Sequence, residues 1–332
     1  MQSTQTRRRL LATLSSAMAA GVIGDARVSA QEAPPETTTI RLAKIPGICV
    51  APQYVAEELL RTEGFTNIEY VDIPTTNTYA AFASRTIDIS MAFVAPFLIQ
   101  VDSDLPIVLL GGVHAGCFEL FGTEQVKSIR DLKGKTVAVP GLGTAHHVFL
   151  SAMASYVGID PKRDVNFVIH PATDSMQLLA DRKIDALMGF PPDPQELREK
   201  KIGHVIVNSG FDRPWSQYFC CIVAAHQDFV RKNPVATKRA LRAILKATQF
   251  CVAEPERAAR LVADKGYRYD YSLQTMKEIA YARWRDYSAE DTVRFYALRL
   301  HEVGMIKSTP NKIIAEGTDW RFWNDLKREL KG

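Results

Sequence analysis

Cysteine is scarce in this sequence: five residues, Cys49, Cys117, Cys220, Cys221 and Cys251. The number is odd and the spacing fits no zinc pattern. Cys220 and Cys221 are adjacent, so on a strand they are expected to point to opposite sides, and all five read as small buried hydrophobes. Beyond the first ten residues there is no long basic run, which argues against nucleic acid and against a polybasic membrane contact. The apolar run within the first thirty residues is too short and interrupted to span a bilayer. There is no Gly-x-Ser-x-Gly elbow that would turn Ser151, Asp174 and a histidine into a hydrolase triad. The turn Gly141-Leu142-Gly143-Thr144 lacks the third glycine of a dinucleotide loop, since position 146 is His, and no Gly-Lys-Ser/Thr follows it.

What is present begins with an export signal. Arg7-Arg8-Arg9-Leu10-Leu11 precedes a modest apolar run, and Val28-Ser29-Ala30 supplies small residues for cleavage. Paired arginines followed by two leucines fit the twin-arginine type. No cysteine lies near the cleavage site, so no lipid anchor is expected there. Loss of residues 1–30 removes four arginines and one aspartate and lowers the net charge from +4 to +1.

Downstream, strands alternate with helices, which predicts wound, mostly parallel sheets. Strands are expected at 39–45, 67–72, 87–93, 107–114, 136–139, 166–170, 184–189, 204–208 and 219–224, with helices at 52–62 and 76–84. From Asp228 onward the pattern is helical. Two segments match: Ile87-Asp88-Ile89 through Phe93, and Ile184-Asp185-Ala186 through Phe190. This internal repeat places two corresponding loops at the carboxyl ends of two sheets, where open α/β sheets bind ligands.

The Thr136–Val139 strand breaks at Pro140-Gly141 and enters an apolar helix near Ala145. Thr144 stands at the N-cap, where its hydroxyl is expected to accept a helical N–H, and the helix start favours an anion or a polar acceptor. Asp193 is expected to cap the next helix, with Pro194 at its first position and Glu196 completing a capping box. His146 and His147 point to different faces and have no acid or cysteine beside them, so no metal is expected; His146 is a candidate ligand contact and His147 packs.

The chain resembles the periplasmic substrate-binding proteins of ABC importers for nitrate, alkanesulfonates, taurine and thiamine-precursor pyrimidines. The resemblance covers about residues 38–330 and rests on Ala51-Pro52-Gln53-Tyr54-Val55-Ala56, the two Ile-Asp segments, Asp131-Leu132-Lys133-Gly134-Lys135 with Thr136–Val139, Asp228-Phe229 and Asn233-Pro234. It implies an α/β type II periplasmic-binding-protein fold: two lobes, 39–117 with 223–332 and 118–222, closing about crossings near Cys117–Phe121 and Tyr218–Val223. It implies a protein that is not an enzyme and needs no cofactor, a monomer located in the periplasm that delivers a solute to an inner-membrane permease. Ligand contacts fall on Gly47–Pro52, Ala92–Ala95, Gly141–His146 and Gly189–Pro192, giving Gly47, Ile48, Cys49, Phe93, Val94, Gly143, Thr144, Ala145, His146, Gly189 and Phe190, with His114, Pro191 and Trp215 as further candidates. These loops hold no Arg or Lys, so the expected solute is a small organic anion, such as a sulfonate or carboxylate, held by N–H groups, hydroxyls and histidine; the alternative is a neutral ligand, or an arginine reaching in from outside these loops, such as Arg213. The alternatives are a pyrimidine- or thiamine-precursor-related enzyme or binding protein of the same fold, and a ligand sensor. Export with cleavage predicts that mass spectrometry of the secreted protein finds Gln31 at the amino terminus; an intact, membrane-retained chain would overturn this.

Overall fold

The computed structural model describes residues 32–73 and 78–330, with side chains described outside 74–80. The export signal, Gln31 and the start of the expected 76–84 helix lie outside the described residues. Ten strands are named in chain order: β1 (Thr39–Lys44), β2 (Asn67–Asp72), β3 (Ile89–Phe93), β4 (Ile107–Ala115), β5 (Glu119–Gly122), β6 (Thr136–Val139), β7 (Asn166–Ile169), β8 (Ala186–Gly189), β9 (His204–Asn208) and β10 (Phe219–His226). They form two five-stranded sheets, ordered β2-β1-β3-β10-β4 and β7-β6-β8-β5-β9. Each holds a parallel trio, β2-β1-β3 or β7-β6-β8, flanked by an antiparallel strand contributed from across the chain. This is the two-lobed periplasmic-binding-protein architecture.

The internal repeat has a physical basis. Asp88 accepts the backbone N–H of Arg41 on β1 at 2.9 Å, and its own N–H donates to the Arg41 carbonyl at 2.8 Å. Asp185 treats Thr136 on β6 in the same way, with both bonds at 2.8 Å. Each Ile-Asp thus clamps the entry of a central strand to its parallel neighbour, and a nearby cation, Arg41 or Lys135, faces each carboxylate. The side-chain bonds to backbone N–H satisfy donors just before the ladder to β3 or β8 begins, at Leu42 and Val137.

Sheet-to-sheet crossings run side by side. Gly116 has φ +54, and a Cβ there would lie 2.2 Å from the Gly210 Cα, so glycine is required by both conformation and contact. The N–H groups of Cys117 and Phe118 donate to the Ser209 hydroxyl, and the Ser209 N–H returns a bond to the Phe118 carbonyl. β10 belongs to the first sheet from Phe219 onward.

Several local expectations change. The strand at 87–93 passes directly into a helix, Val94–Asp102, with Pro96 in its first turn; the expected loop Ala92–Ala95 is therefore a strand-to-helix junction. The expected 52–62 helix divides at Ala56. A fifth strand at 119–122, not expected, inserts antiparallel between β8 and β9.

The C-terminal helices cover the first sheet. The Pro234–Ala253 helix buries Ala240, Leu241, Ile244, Leu245, Thr248 and Cys251, the three-and-four spacing of an amphipathic face. The Arg321–Glu329 helix drives Trp323 onto β4, where its indole N–H donates to the Gly112 carbonyl at 3.2 Å. Gly111 and Gly112 make the room: a Cβ on Gly111 would meet Trp323 Cδ1 at 2.2 Å, and one on Gly112 would meet Phe219 Cδ2 at 2.2 Å. Among the described residues no helix is long and apolar enough to cross a membrane. Overpacking of this kind costs about 1–3 kcal/mol. Gly112→Ala should therefore lower the unfolding free energy by that amount, read as a lower urea midpoint at unchanged slope, and an unchanged midpoint would show that Phe219 has room to move.

Candidate functional site

The carboxyl ends of β1, β3, β6 and β8 converge on a cavity of about 710 Å³, inside the ~300–1,000 Å³ range of small-molecule sites. Cys49 and Val50 come from the segment after β1, Ala92 and Phe93 from the end of β3, Thr144, Ala145 and His146 from the helix after β6, and Phe190 and Pro192 from the segment after β8. Phe190 closes the cleft. Its ring stacks on His146 at 4.9 Å and meets Phe118 edge-on at 5.4 Å, while a Cβ on Gly47 would touch its Cε2 at 2.7 Å. Beside it, the Ile48 N–H donates to the Pro191 carbonyl at 2.9 Å, a backbone bond between the two sheets' loops. Gln195 reaches Thr275 and Glu278, and Arg198 joins Glu119 to Glu278, further along the same seam.

The remaining expected residues do not line the cavity. Gly47 donates its N–H to the Tyr267 hydroxyl at 2.7 Å. Val94 is buried at the start of its helix. Gly143, at φ +80, donates to His147 Nδ1 at 3.0 Å, and His147 packs edge-on against Phe167. Gly189 lies under Asp193, whose Cβ leaves no room for a side chain there. Trp215 is buried among Phe149, Tyr156 and Phe295, away from the cavity. Arg213 is exposed and does not line the cavity.

Two capping expectations are corrected. The Thr144 hydroxyl does not accept a helical N–H; it donates back to the Gly141 carbonyl at 2.7 Å, which closes the Pro-Gly turn. The first intrahelical bond runs from Val148 to the Thr144 carbonyl, so the N–H groups of Ala145, His146 and His147 precede the ladder. Asp193 is the first residue of its helix, not its cap, and its carboxylate lines the cavity.

Sequence reasoning missed the polar groups that matter most in this lining. Gln100, in the unexpected helix after β3, is buried with neither end of its amide hydrogen-bonded. An amide within so apolar a run was the available signal, but it faces the cavity only because the chain turns helical at Val94. Tyr267, Phe118 and Pro96 also line the cavity and were not among the expected contacts.

Burial governs the electrostatics. Desolvation brings the His146 pKa down to about 4, so the ring is neutral near pH 7, and its Nδ1 has no partner. Desolvation, with Glu196 nearby, pushes Asp193 up to about 7. Among the described lining residues there is no Arg or Lys.

The cysteines also depart from expectation. A bulge in β10 breaks the register around Cys221, so Cys220 and Cys221 do not diverge. The Cys220 sulfur lies 3.0 Å from that of Cys117, and the sulfurs of Cys49, Cys117 and Cys221 lie within 4.8 Å of one another. Cys49, Cys117 and Cys221 all line the cavity. Burial pushes the Cys117 and Cys220 thiols up. Burial opposes the Cys221 thiolate as well, but neighbouring thiols and the His114 ring bring it well below the ordinary thiol value. His114 is wholly buried behind Cys221, edge-on to Tyr281, and does not line the cavity.

The two shifted groups have opposite linkage to stability. Asp193 binds its proton more tightly folded than unfolded, so its contribution is lost as pH rises from about 4 to about 7; His146 binds its proton less tightly when folded, so its contribution grows from about 4 to 6.5. They largely cancel in the wild type. Asp193→Asn should therefore gain stability relative to wild type progressively between pH 4 and pH 7 and hold that gain above pH 7. Denaturation midpoints at pH 4.5, 6 and 8 test this, and a constant difference would refute it.

A family profile described as NMT1/THI5 like matches residues 70–258. The nitrate/nitrite binding protein NrtA of Nostoc is 25% identical over 273 residues, 73% of this chain and 61% of that protein, so the chain matches less than two thirds of that relative's length. The taurine-binding periplasmic protein of Escherichia coli is 25% identical over 53% of this chain and 54% of its own. Among solved structures, the periplasmic nitrate-binding protein NrtA from Synechocystis superposes with a TM-score of 0.73 at 15% identity, covering 90% of each chain. The aliphatic sulphonate binding protein SsuA from Escherichia coli does so at 0.67 and 16%, covering 87% of this chain and 99% of that one. With more than half of its length matched by the profile, and with the fold those structures share, this protein belongs to the NMT1/THI5-like family.

Proposed function

We propose that this chain is the periplasmic solute-binding component of an ABC importer, which clamps a small molecule between its lobes and passes it to an inner-membrane permease. The relatives named for nitrate, taurine and sulfonate binding support the class of function. The lining of the cavity supports a different solute from theirs. It is mostly apolar, it presents Asp193 and a neutral His146, and its described residues offer no cation. An inorganic anion would find an apolar wall and a carboxylate, and it would fill little of 710 Å³. Anions bound without a guanidinium need several charge-assisted bonds, each contributing roughly 1.5–3 kcal/mol, and Thr144 has turned its hydroxyl toward Gly141.

The observation that carries the reading is the buried Gln100 amide, unpartnered at both ends in an aromatic-walled cavity. An orphaned buried amide is costly unless a ligand completes it. A flat, uncharged heterocycle with adjacent donor and acceptor edges does so, while Phe93 and Phe190 contact its faces. Within the solutes known for such proteins, this points to the pyrimidine class. The Ile48–Pro191 bond and the seam around Glu278 are the contacts that must open for entry.

The test is a thermal-shift and calorimetric screen of pyrimidines and related heterocycles against nitrate, bicarbonate, taurine and alkanesulfonates. A ligand at a hundred times its dissociation constant adds about 2.7 kcal/mol of stability. A heterocycle should give that gain, with compaction in small-angle scattering, and Gln100→Leu should weaken it at least tenfold without unfolding the protein. Binding of an anion alone, unaffected by Gln100→Leu, would overturn the reading.

A further inference from the structure

Three cysteines separated by up to 172 positions in sequence meet at one wall of the cavity. Cys49 follows β1, Cys117 lies in the first crossing and Cys221 sits at the β10 bulge, and their sulfurs stand within 4.8 Å of one another, all buried. A fourth sulfur, that of Cys220, is 3.0 Å from Cys117. Three sulfurs bound about 2.3 Å from a common ion stand about 3.8–4.0 Å apart, so movements of tenths of an ångström complete a trigonal set. The register break in β10 is what turns Cys221 inward beside Cys117; a regular strand would separate adjacent side chains.

The donor set selects the ion. The three donors that lie within 4.8 Å of one another are all sulfur, with no carboxylate or imidazole among them; His114, whose Nδ1 lies 3.3 Å from the Ala115 carbonyl and whose Nε2 has no partner, does not line the cavity. Soft thiolate ligands favour Cu(I) over hard oxygen-seeking cations, and Cu(I) accepts three-coordinate geometry, whereas structural zinc takes four ligands. Because all three cysteines line the cavity, an ion held there has one face toward the solute space.

We propose that Cys49, Cys117 and Cys221 form a three-sulfur site for Cu(I) at the inner wall of the ligand cavity, with Cys220 as a neighbouring sulfur outside the set. Each thiol that binds as thiolate releases its proton to solvent, and no change of oxidation state is involved. The site stands on the thiol geometry and does not depend on the solute reading.

The test uses the reduced, full-length protein without added solute. Cu(I) is supplied anaerobically in competition with a chromophoric Cu(I) chelator. The expected result is one Cu(I) retained per chain, with a thiolate-to-copper ultraviolet band and a three-sulfur shell in X-ray absorption. Cys49→Ser, Cys117→Ser and Cys221→Ser should each lower affinity at least tenfold, while Cys251→Ser leaves it within twofold. X-ray absorption on the wild type decides the question even if a serine variant fails to fold. Copper stripped by the chelator, a shell of nitrogen or oxygen, or recovery of these cysteines as a disulfide from the exported protein would overturn the site. None of these outcomes touches the calorimetric screen for heterocycles.

Discussion

Two aspartates hold the frame on which the rest of the molecule hangs. Asp88 and Asp185 each take one backbone N–H from the entry of a central strand and return one N–H to the same residue. A one-residue slip in either parallel pairing would exchange the faces of the strand. With the amino edges pinned, the carboxyl ends of β1, β3, β6 and β8 come out at matched heights, and those ends are the cavity. The clamp also explains why two lobes of unrelated detail share a local sequence: the bond pattern needs a carboxylate after an apolar residue at the mouth of a strand, and little else.

What the frame delivers is a dry, aromatic space with few polar groups, each poised by burial. Desolvation makes His146 a neutral ring near pH 7 and pushes Asp193 up to about 7, so the Asp193 carboxyl changes charge around neutral pH. Arg268 with Glu199, both about half exposed, belongs to a class of contact that contributes little on its own. The seam is held by the Phe190 ring over Gly47, by one backbone bond, Ile48 to Pro191, and by the Gln195 and Arg198 contacts to Glu278.

The family resemblance and the alternation of strands and helices were legible because they depend on local chemistry: β-branched runs, Pro-Gly breaks and the helical spacing that buries one face of Pro234–Ala253. The internal repeat marked two loops at the carboxyl ends of two sheets, and the family resemblance supplied the four segments expected to hold the ligand. The side chains that give the cavity its character were not. Gln100 was hidden by a strand that turns straight into a helix at Val94 without a break residue. Asp193 looked like a cap because Asp-Pro after a Pro-Pro break commonly is one, yet the helix begins at Asp193 itself, after Pro192. Thr144 stood in the expected place but spent its hydroxyl on Gly141.

The sequence by itself determined the alternation of strands and helices into wound sheets, the helical C-terminal cover and the places where strands end, since propensity and periodicity act over a few residues at a time; the two lobes came from the family resemblance. Only the tertiary structure decided the chemistry of the cleft. Whether a histidine is charged depends on how completely other elements exclude water from it, and the number of cysteines that meet depends on a bulge in β10 and on a crossing more than a hundred residues away. Those are consequences of packing between distant segments, which no local pattern records.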